Sequence, residues 1–249
     1  MLPAVANHFS SIGFVVESQD AFESLAMQAA NAAEPEETAS GFYLPWEVGS
    51  GIEIWAQATM GREVIGCNPH FAGKARMRIG VTQPFVDPSN ALEGALEGWA
   101  DPKPDAKEGA YPIRIDVPDF ELAAESLELP AIVDVQIAAF AHTLRCHDDE
   151  KAFDAAQGKG AKMAPESLIP TGLFAPENAP HRAEAAAVGR VLAFERLVNP
   201  ESHRAFFHVH VRTYGGELDV VADPEVMEGT PKVGGIVEGT FWLSGRIVR

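Results

Sequence analysis

The chain has 249 residues, of which 46% are hydrophobic and 22% are charged, enough to build one large core or two smaller ones. Its formal net charge of -17 repels phosphate backbones, so nucleic acid is a disfavoured partner for the chain as a whole. No apolar run reaches the roughly 18 residues of a membrane span, and MLPAVANHFSS lacks the regions of a signal peptide, so we expect a cytoplasmic protein.

Residues 9–71 combine one helical segment with several strand-like segments. Residues 9–16 are densely apolar and β-branched, which predicts a strand. The following QDAFESLAMQAANAA places Phe22, Leu25, Ala26 and Ala29 at helical spacing. Three segments that each begin with glycine then predict strands: GFYLPWEV, GIEIWAQA and GREVIGCNPHF. The predicted order is βαβββ.

A second, looser copy of this order follows. RMRIGVTQPFV predicts a strand, SNALEGALEGWA a helix beginning at Ser89, YPIRIDV a strand, and AIVDVQIAAFAHTLRC one long strand or a pair. Gly94 and Gly98 weaken the helix prediction by about 1 kcal/mol each relative to alanine. Residues 1–147 are therefore predicted to form a tandem βαβββ domain.

The remaining chain is predicted to be a linker and an all-β unit. Residues 148–183 lose periodicity and are rich in Pro, Gly, Ala and charge, although their apolar island SLIPTGLF should pack on a neighbour. Residues 184–249 contain four strand signals, with Gly215 and Gly216 suited to a tight hairpin turn. The predicted fold class is thus α+β, with a small β-barrel after the linker.

The segments HFSSIGFVVESQDAFESLA and YLPWEVGSGIEIWAQ, with the weaker copy after them, resemble tandem modules of the vicinal-oxygen-chelate (glyoxalase and bleomycin-resistance) superfamily. The resemblance implies a curved sheet around one divalent metal, with ligands on the first and last strands of each module. In the family a histidine usually precedes an Ile-Gly pair. Here Ser11 precedes Ile12 and Gly13, and the nearest histidine is His8.

Residues 186–249 resemble an OB-type barrel in their pattern of strands. Such barrels commonly bind single-stranded nucleic acid through aromatic stacking and a basic groove. The residues that could form such a surface are Arg190, Arg196, Arg204, Arg212, Phe206, Tyr214 and Trp242. Solvated arginines and core aromatics explain the same residues, and the acidic N-terminal part opposes nucleic-acid binding.

Histidines and cysteines offer one candidate metal site. Cys67 and His70 in GCNPHF, and His142 and Cys146 in AHTLRCH, end the presumed last strands of the two modules at spacings that a zinc site tolerates. The chelate resemblance implies His8, His70 and His142 as ligands of a metal that acts as a Lewis acid, with Cys67 and Cys146 as alternatives. Buried, reduced core cysteines are the competing explanation.

Two further groups of polar residues lie on predicted strands. Asp134, Gln136 and His142 share one strand face by parity, and Glu53 could join them to line a pocket. The alternative is that they form the solvent face of a sheet. In FFHVHVR, His208 and His210 also share a face, but without a nearby acidic residue they are predicted to be ordinary exposed histidines, with Phe207 and Val209 facing the core.

No nucleophile elbow, P-loop, dinucleotide fingerprint or HExxH motif occurs in the chain. We therefore expect a non-catalytic scaffold that binds a small molecule or a protein. Because the chain is strongly acidic, a protein partner with a basic surface would suit it. Two alternatives remain open: a metal-dependent enzyme of the chelate superfamily, and nucleic-acid binding through the C-terminal barrel.

Overall fold

The computed structural model describes residues 8–160, 162–172 and 182–248. The first seven residues of the predicted N-terminal domain, residues 161 and 173–181 of the predicted linker, and residue 249 of the predicted barrel lie outside this part. The protein is mixed α+β and consists mainly of sheet, with 52% strand and 15% helix. Among the described helices, none has the length and apolarity needed to cross a membrane.

The N-terminal unit packs one helix against a four-stranded sheet in the order β1-β2-β3-β4. Ser18 caps the helix by accepting a hydrogen bond from the Ala21 amide at 3.1 Å, and Leu25 and Ala29 on its buried face contact the core. The helix and the three longer strands match the last four elements of the predicted βαβββ order. The bounds are α1 Gln19–Ala32, β1 Glu36–Glu37, β2 Gly41–Gly49, β3 Ile52–Thr59 and β4 Val64–Phe71.

The strand predicted for residues 9–16 does not form. Ser10–Ile12 is a short 3-10 turn, followed by Gly13 in the left-handed region with φ of 83°. The side chain of Asn199 donates a hydrogen bond to the Ile12 carbonyl oxygen at 2.9 Å, and the Ser202 hydroxyl donates to that of Gly13 at 2.6 Å. Side chains from a distant turn therefore satisfy backbone groups that a neighbouring strand would otherwise have to satisfy.

The second sheet contains ten strands and takes in most of the remaining chain. Its strands and the two helices between them are β5 Met77–Asp87, β6 Asn90–Ala100, β7 Tyr111–Asp116, α2 Phe120–Glu125, β8 Ala131–His147, α3 Glu150–Ala156, β9 Ser167–Pro170, β10 Glu184–Val198, β11 Ala205–Thr213, β12 Gly216–Ala222, β13 Met227–Glu228 and β14 Ile236–Ile247. The predicted linker thus contributes α3 and β9, and β9 pairs with β10.

The helix predicted from Ser89 is wrong: β6 occupies this segment and forms a hairpin with β5. Its glycines explain the difference. A Cβ atom on Gly98 would lie 2.1 Å from the Gly80 carbonyl oxygen, and one on Gly94 would lie 2.6 Å from the Phe120 ring. Glycine is therefore required here for close approach within a sheet. The second βαβββ copy is consequently absent, and the order from β5 to β8 is βββαβ.

Five strands pair in a closed ring, in the order β8-β14-β10-β11-β12 and back to β8. The last pairing is parallel and the other four are antiparallel. Ala139, Val209, Val220 and Leu243, from four of these strands, belong to one hydrophobic core and are at most 1% exposed. Because β8 belongs to this ring, the boundary predicted after residue 147 does not separate two sheets.

Candidate functional site

A cleft of about 520 Å³ lies where β4 to β7 meet β14. Its walls combine aromatic rings, carboxyl groups and two arginines. Its lining includes His8, Asn68, Phe85, Asp87, Glu93, Arg114, Asp116, Arg182, Glu184, Trp242 and Ser244. Clefts of this size, part aromatic and part polar, are typical of small-molecule sites in proteins.

Trp242 forms the centre of an aromatic wall. The His8 ring stacks on it with centroids 4.1 Å apart and an interplanar angle of 5°. Burial, and to a lesser degree His142, lower the pKa of His8 to about 4, so this ring is neutral at pH 7. The Trp242 indole N–H donates a hydrogen bond to Asp116 Oδ2 at 2.6 Å. The flat apolar surface is thereby held beside a carboxylate.

Four carboxyl groups share the cleft: Asp87, Glu93, Asp116 and Glu184. Burial raises the pKa of Glu93, and the charges of Asp87 and Asp116 raise it further. Burial also raises the pKa of Asp116, despite its hydrogen bond from Trp242. These carboxyl groups are close enough to disfavour each other's ionisation.

The cations in the described wall of the cleft do not balance this charge. The Arg114 guanidinium lies 4.0 Å from the centroid of the Phe85 ring and donates a 2.8 Å hydrogen bond to Glu97. Arg182 lies 3.5 Å from Glu184. The described lining thus contains four carboxyl groups against two arginines, each of which already has a carboxylate partner.

A chain of buried polar side chains runs behind the cleft, from Ser244 to His208. His70 is fully buried, with Nδ1 2.9 Å from Ser244 Oγ and Nε2 2.8 Å from Gln136 Oε1. The Gln136 amide donates to Asp219 Oδ2 at 2.9 Å. Asp219 Oδ1 lies 2.8 Å from His208 Nε2. Five side chains from β4, β8, β12, β14 and β11 thus form one continuous network.

The far end of this network opens into a second, smaller groove of about 370 Å³. There His208 Nδ1 lies 3.2 Å from Glu195 Oε1, and the Phe71 ring packs against the imidazole at 4.6 Å. Burial alone would lower the pKa of His208, but hydrogen bonds with Asp219 and Glu195 raise it. His208 therefore keeps its proton to a higher pH than an ordinary histidine does.

The predicted metal ligands do not come together as one set. His8 Nε2 lies 3.3 Å from His142 Nε2, whereas both ring nitrogens of His70 are engaged by Ser244 and Gln136. The alternative ligands Cys67 and Cys146 are free thiols. Across residues 8–160, 162–172 and 182–248, no three His, Cys, Asp or Glu side chains are grouped as a metal would require. The described residues do not fit the divalent metal that the chelate resemblance implies.

The predicted pocket residues do not come together, and His142 lies apart from the others beside His8. Glu53 on β3 and Gln136 on β8 both lie beside Arg246 of β14. The Arg246 guanidinium is 3.4 Å from Glu53 Oε2, and Arg246 is the register partner of Gln136. Asp134 is exposed and pairs with Arg78 on β5. Gln136 thus belongs to the buried network, Glu53 lies beside it, and Asp134 belongs to neither.

The residues predicted to form a nucleic-acid surface have other roles. Arg190 donates hydrogen bonds to Glu150 and Glu166, and Arg212 also donates to Glu166. Arg204 lies 3.9 Å from Glu225, and Arg196 is exposed on β10. Phe206 is buried in the core, Tyr214 is exposed, and Trp242 faces the cleft. A phosphate would have to displace glutamates from three of these arginines.

The prediction of two ordinary exposed histidines is wrong, because the side chains of His208 and His210 are only 12% and 20% exposed. Glu217 and Asp219 share a face of β12 by parity, and the turn at Gly215 brings this face beside the histidines. His210 Nε2 accordingly lies 2.7 Å from Glu217. This parity was the signal that could have revealed both pairs. Ser244, Glu93 and Asp116 carry no comparable local signal and were missed.

Val209, between the two histidines, is fully buried, as the alternation of the strand predicts, whereas Phe207, which was also predicted to face the core, is only partly buried.

Comparisons of the chain with protein-family models, with curated proteins and with solved structures found no match.

Proposed function

We propose that this chain is a small-molecule-binding protein whose cleft holds a small organic cation with a flat apolar group. The observation that carries the proposal is the excess of carboxylate over cation beside the Trp242 wall. The aromatic and carboxyl groups that line the cleft are the features that support binding of such a ligand.

Charge is the first support for this proposal. Burial is the largest cause of the raised pKa values of Glu93 and Asp116, and repulsion from neighbouring carboxylates raises both further. A ligand cation between them would relieve this repulsion and favour both ionised forms. Binding should then release protons and weaken as the pH falls through the raised pKa values of these carboxyl groups.

The aromatic wall is the second support. Trp242 is 8% exposed and stacked on His8, and together the two rings form a wall against which a flat apolar group can pack. A volume of about 520 Å³ lies within the range of roughly 300–1,000 Å³ that small-molecule sites occupy.

The test is calorimetric titration at pH 7 with the 2-phenylethylammonium ion as the probe. We expect saturable binding, absence of binding by 2-phenylacetate, and weaker binding by neutral 2-phenylethanol. Glu93→Gln and Asp116→Asn should each weaken binding by about tenfold, since each removes a hydrogen-bonding partner of the cation.

Glu36→Gln, an exposed carboxylate outside the cleft, is the matched control and should leave the affinity unchanged. Equal binding of the cation and the anion by the unmodified chain would overturn the proposal. So would a lack of effect of both cleft substitutions.

We also propose that the ring of β8, β10, β11, β12 and β14 is an OB-type barrel in permuted chain order. Three antiparallel strands in succession, β10 to β12, and one parallel pairing with β8 support this assignment. In this arrangement β8 takes the place of a final strand, although it precedes the others in the chain. The helix and sheet of residues 19–71 would then keep the chelate-like order of a single module.

A further inference from the structure

The hydrogen-bond network behind the cleft has a defined direction that begins at Asp219. This fully buried carboxylate accepts the Ala75 amide at 2.9 Å and the Gln136 amide at 2.9 Å, and it faces His208 Nε2 at 2.8 Å. A backbone N–H can only donate, and an ionised carboxylate can only accept. The hydrogen bonds from these neighbours lower the pKa of Asp219 against the opposing effect of burial, which keeps it ionised.

The orientation of Gln136 follows from Asp219. The NH₂ group must face the carboxylate, because the amide oxygen would place two acceptors against each other. The amide oxygen is then the atom that faces His70 Nε2 at 2.8 Å. An oxygen acceptor at this position requires the proton of His70 to be on Nε2.

The tautomer of His70 in turn sets the hydroxyl of Ser244. Burial, together with the nearby charge of Arg246, lowers the pKa of His70 to about 3, so the ring is neutral at pH 7 and Nδ1 carries no proton. Ser244 Oγ lies 2.9 Å from this unprotonated nitrogen. The hydroxyl proton is therefore donated to Nδ1, and the oxygen retains only lone pairs for other partners.

We propose that this hydrogen-bond relay, which runs from Asp219 through Gln136 and His70, makes Ser244 a hydrogen-bond acceptor in the wall of the cleft. The site would then select a cation that carries an N–H group over one that does not. This inference rests on the proposed function. Ser244 is 1% exposed and lines the same cleft as Asp116, its register partner on β7. A fully alkylated ammonium has the required charge but would leave the Ser244 oxygen without a donor.

The first test measures the relay without any ligand. Two-dimensional ¹⁵N NMR of the full chain labelled at histidine distinguishes the two neutral tautomers and the imidazolium, and loss of one signal set in His70→Gln identifies His70. We expect a neutral ring protonated on Nε2 at pH 7. A ring protonated on Nδ1, alone or together with Nε2, would overturn the inference whatever the cleft binds.

The second test uses two probes of equal charge, N,N-dimethyl-2-phenylethylammonium with one N–H and its N,N,N-trimethyl analogue with none. We expect the dimethyl ion to bind the native chain about tenfold more tightly, because it donates a hydrogen bond to Ser244. Ser244→Ala should abolish most of this difference. Thr240→Ala, on the same strand but outside the cleft, is the matched control and should preserve it.

The outcomes separate this inference from the proposed function. If both ions bind the native chain equally, or if Ser244→Ala leaves the preference intact, the cleft still binds cations but the role of Ser244 is wrong. If neither these ions nor the primary ammonium binds, the proposed function is overturned, and the selection of ligand falls with it. In that case the tautomer measured for His70 still tests the direction of the hydrogen bonds in the relay, independently of any ligand.

Discussion

His208 on β11 and Asp219 on β12 form a buried ion pair, with Nε2 and Oδ1 2.8 Å apart. Asp219 has no exposed surface, and His208 is held between this carboxylate and Glu195. The Asp219 carboxylate also accepts the amide of Ala75, in the segment that leads from the first sheet to the second. One ion pair therefore joins the barrel strands to the connection between the two sheets.

We expect the contribution of this pair to stability to depend on pH. The pKa of folded His208 is raised above its unfolded value of about 6.5, so its stabilisation is complete below that pH and is lost as pH rises through the folded pKa. Urea unfolding of the native chain and of His208→Gln should differ by about 1–3 kcal/mol at pH 6. The difference should shrink at pH 9, and a constant difference would contradict the assigned charge.

Gly73 is predicted to be essential for the position of Asp219. A Cβ atom on Gly73 would lie 2.1 Å from the carboxylate of Asp219, too close for any side chain. Gly73→Ala should therefore destabilise the chain by about 1–3 kcal/mol in urea unfolding. Gly158→Ala, with nothing within 4 Å of the added atom, is the control and should change stability little. In an Asp219→Ala background the Gly73 substitution should be milder, and equal effects in both backgrounds would exclude the clash.

Arg246 is predicted to stabilise the interface between the first sheet and the barrel. Its guanidinium lies 3.4 Å from both Glu53 and Asp119 and 4.4 Å from the centroid of the Trp55 ring. Arg246→Gln would leave two buried carboxylates without their cation, with an expected loss of about 2–4 kcal/mol.

The loss on Arg246→Gln should be smaller near pH 5 than at pH 8. Burial raises the pKa of Glu53 even with Arg246 present, and removing the arginine would raise it further, so that Glu53 is neutralised at mildly acid pH. Denaturant unfolding at the two pH values measures this, with Arg196→Gln, an exposed arginine, as control. A loss that grows on acidification would contradict the assigned pairing.

Both thiols are predicted to react slowly in the folded chain. Burial raises the pKa of Cys67 to about 12, and that of Cys146 to about 11. The thiolate is the reactive form, so a disulfide reagent at pH 8 should modify neither thiol rapidly until denaturant is added, when both should react. Cys146, which is less buried, should be the faster of the two. Fast reaction of Cys67 under native conditions would contradict its burial.

Local chemistry determined the elements whose contacts are close in the chain. The helical spacing of Leu25 and Ala29 predicts α1, and glycine at each turn separates β2 to β4. The Gly215 turn likewise predicts the hairpin of β11 and β12. In each case the residues that stabilise the element lie within one or two turns of one another.

Tertiary structure decided the rest, because the stabilising partners are distant in sequence. Residues 90–100 follow β5 as a strand because glycines there permit close approach to Gly80 and Phe120, which outweighs the helical spacing. β8 joins the barrel through pairing with β12 and β14, which lie about a hundred residues further along. The relay likewise joins His70 to Ser244 over 174 positions. Periodicity indicates which face of an element is buried, but it does not specify which other element packs on that face. The candidate site is formed by residues from several strands that are distant in sequence, so its composition could not be predicted from periodicity.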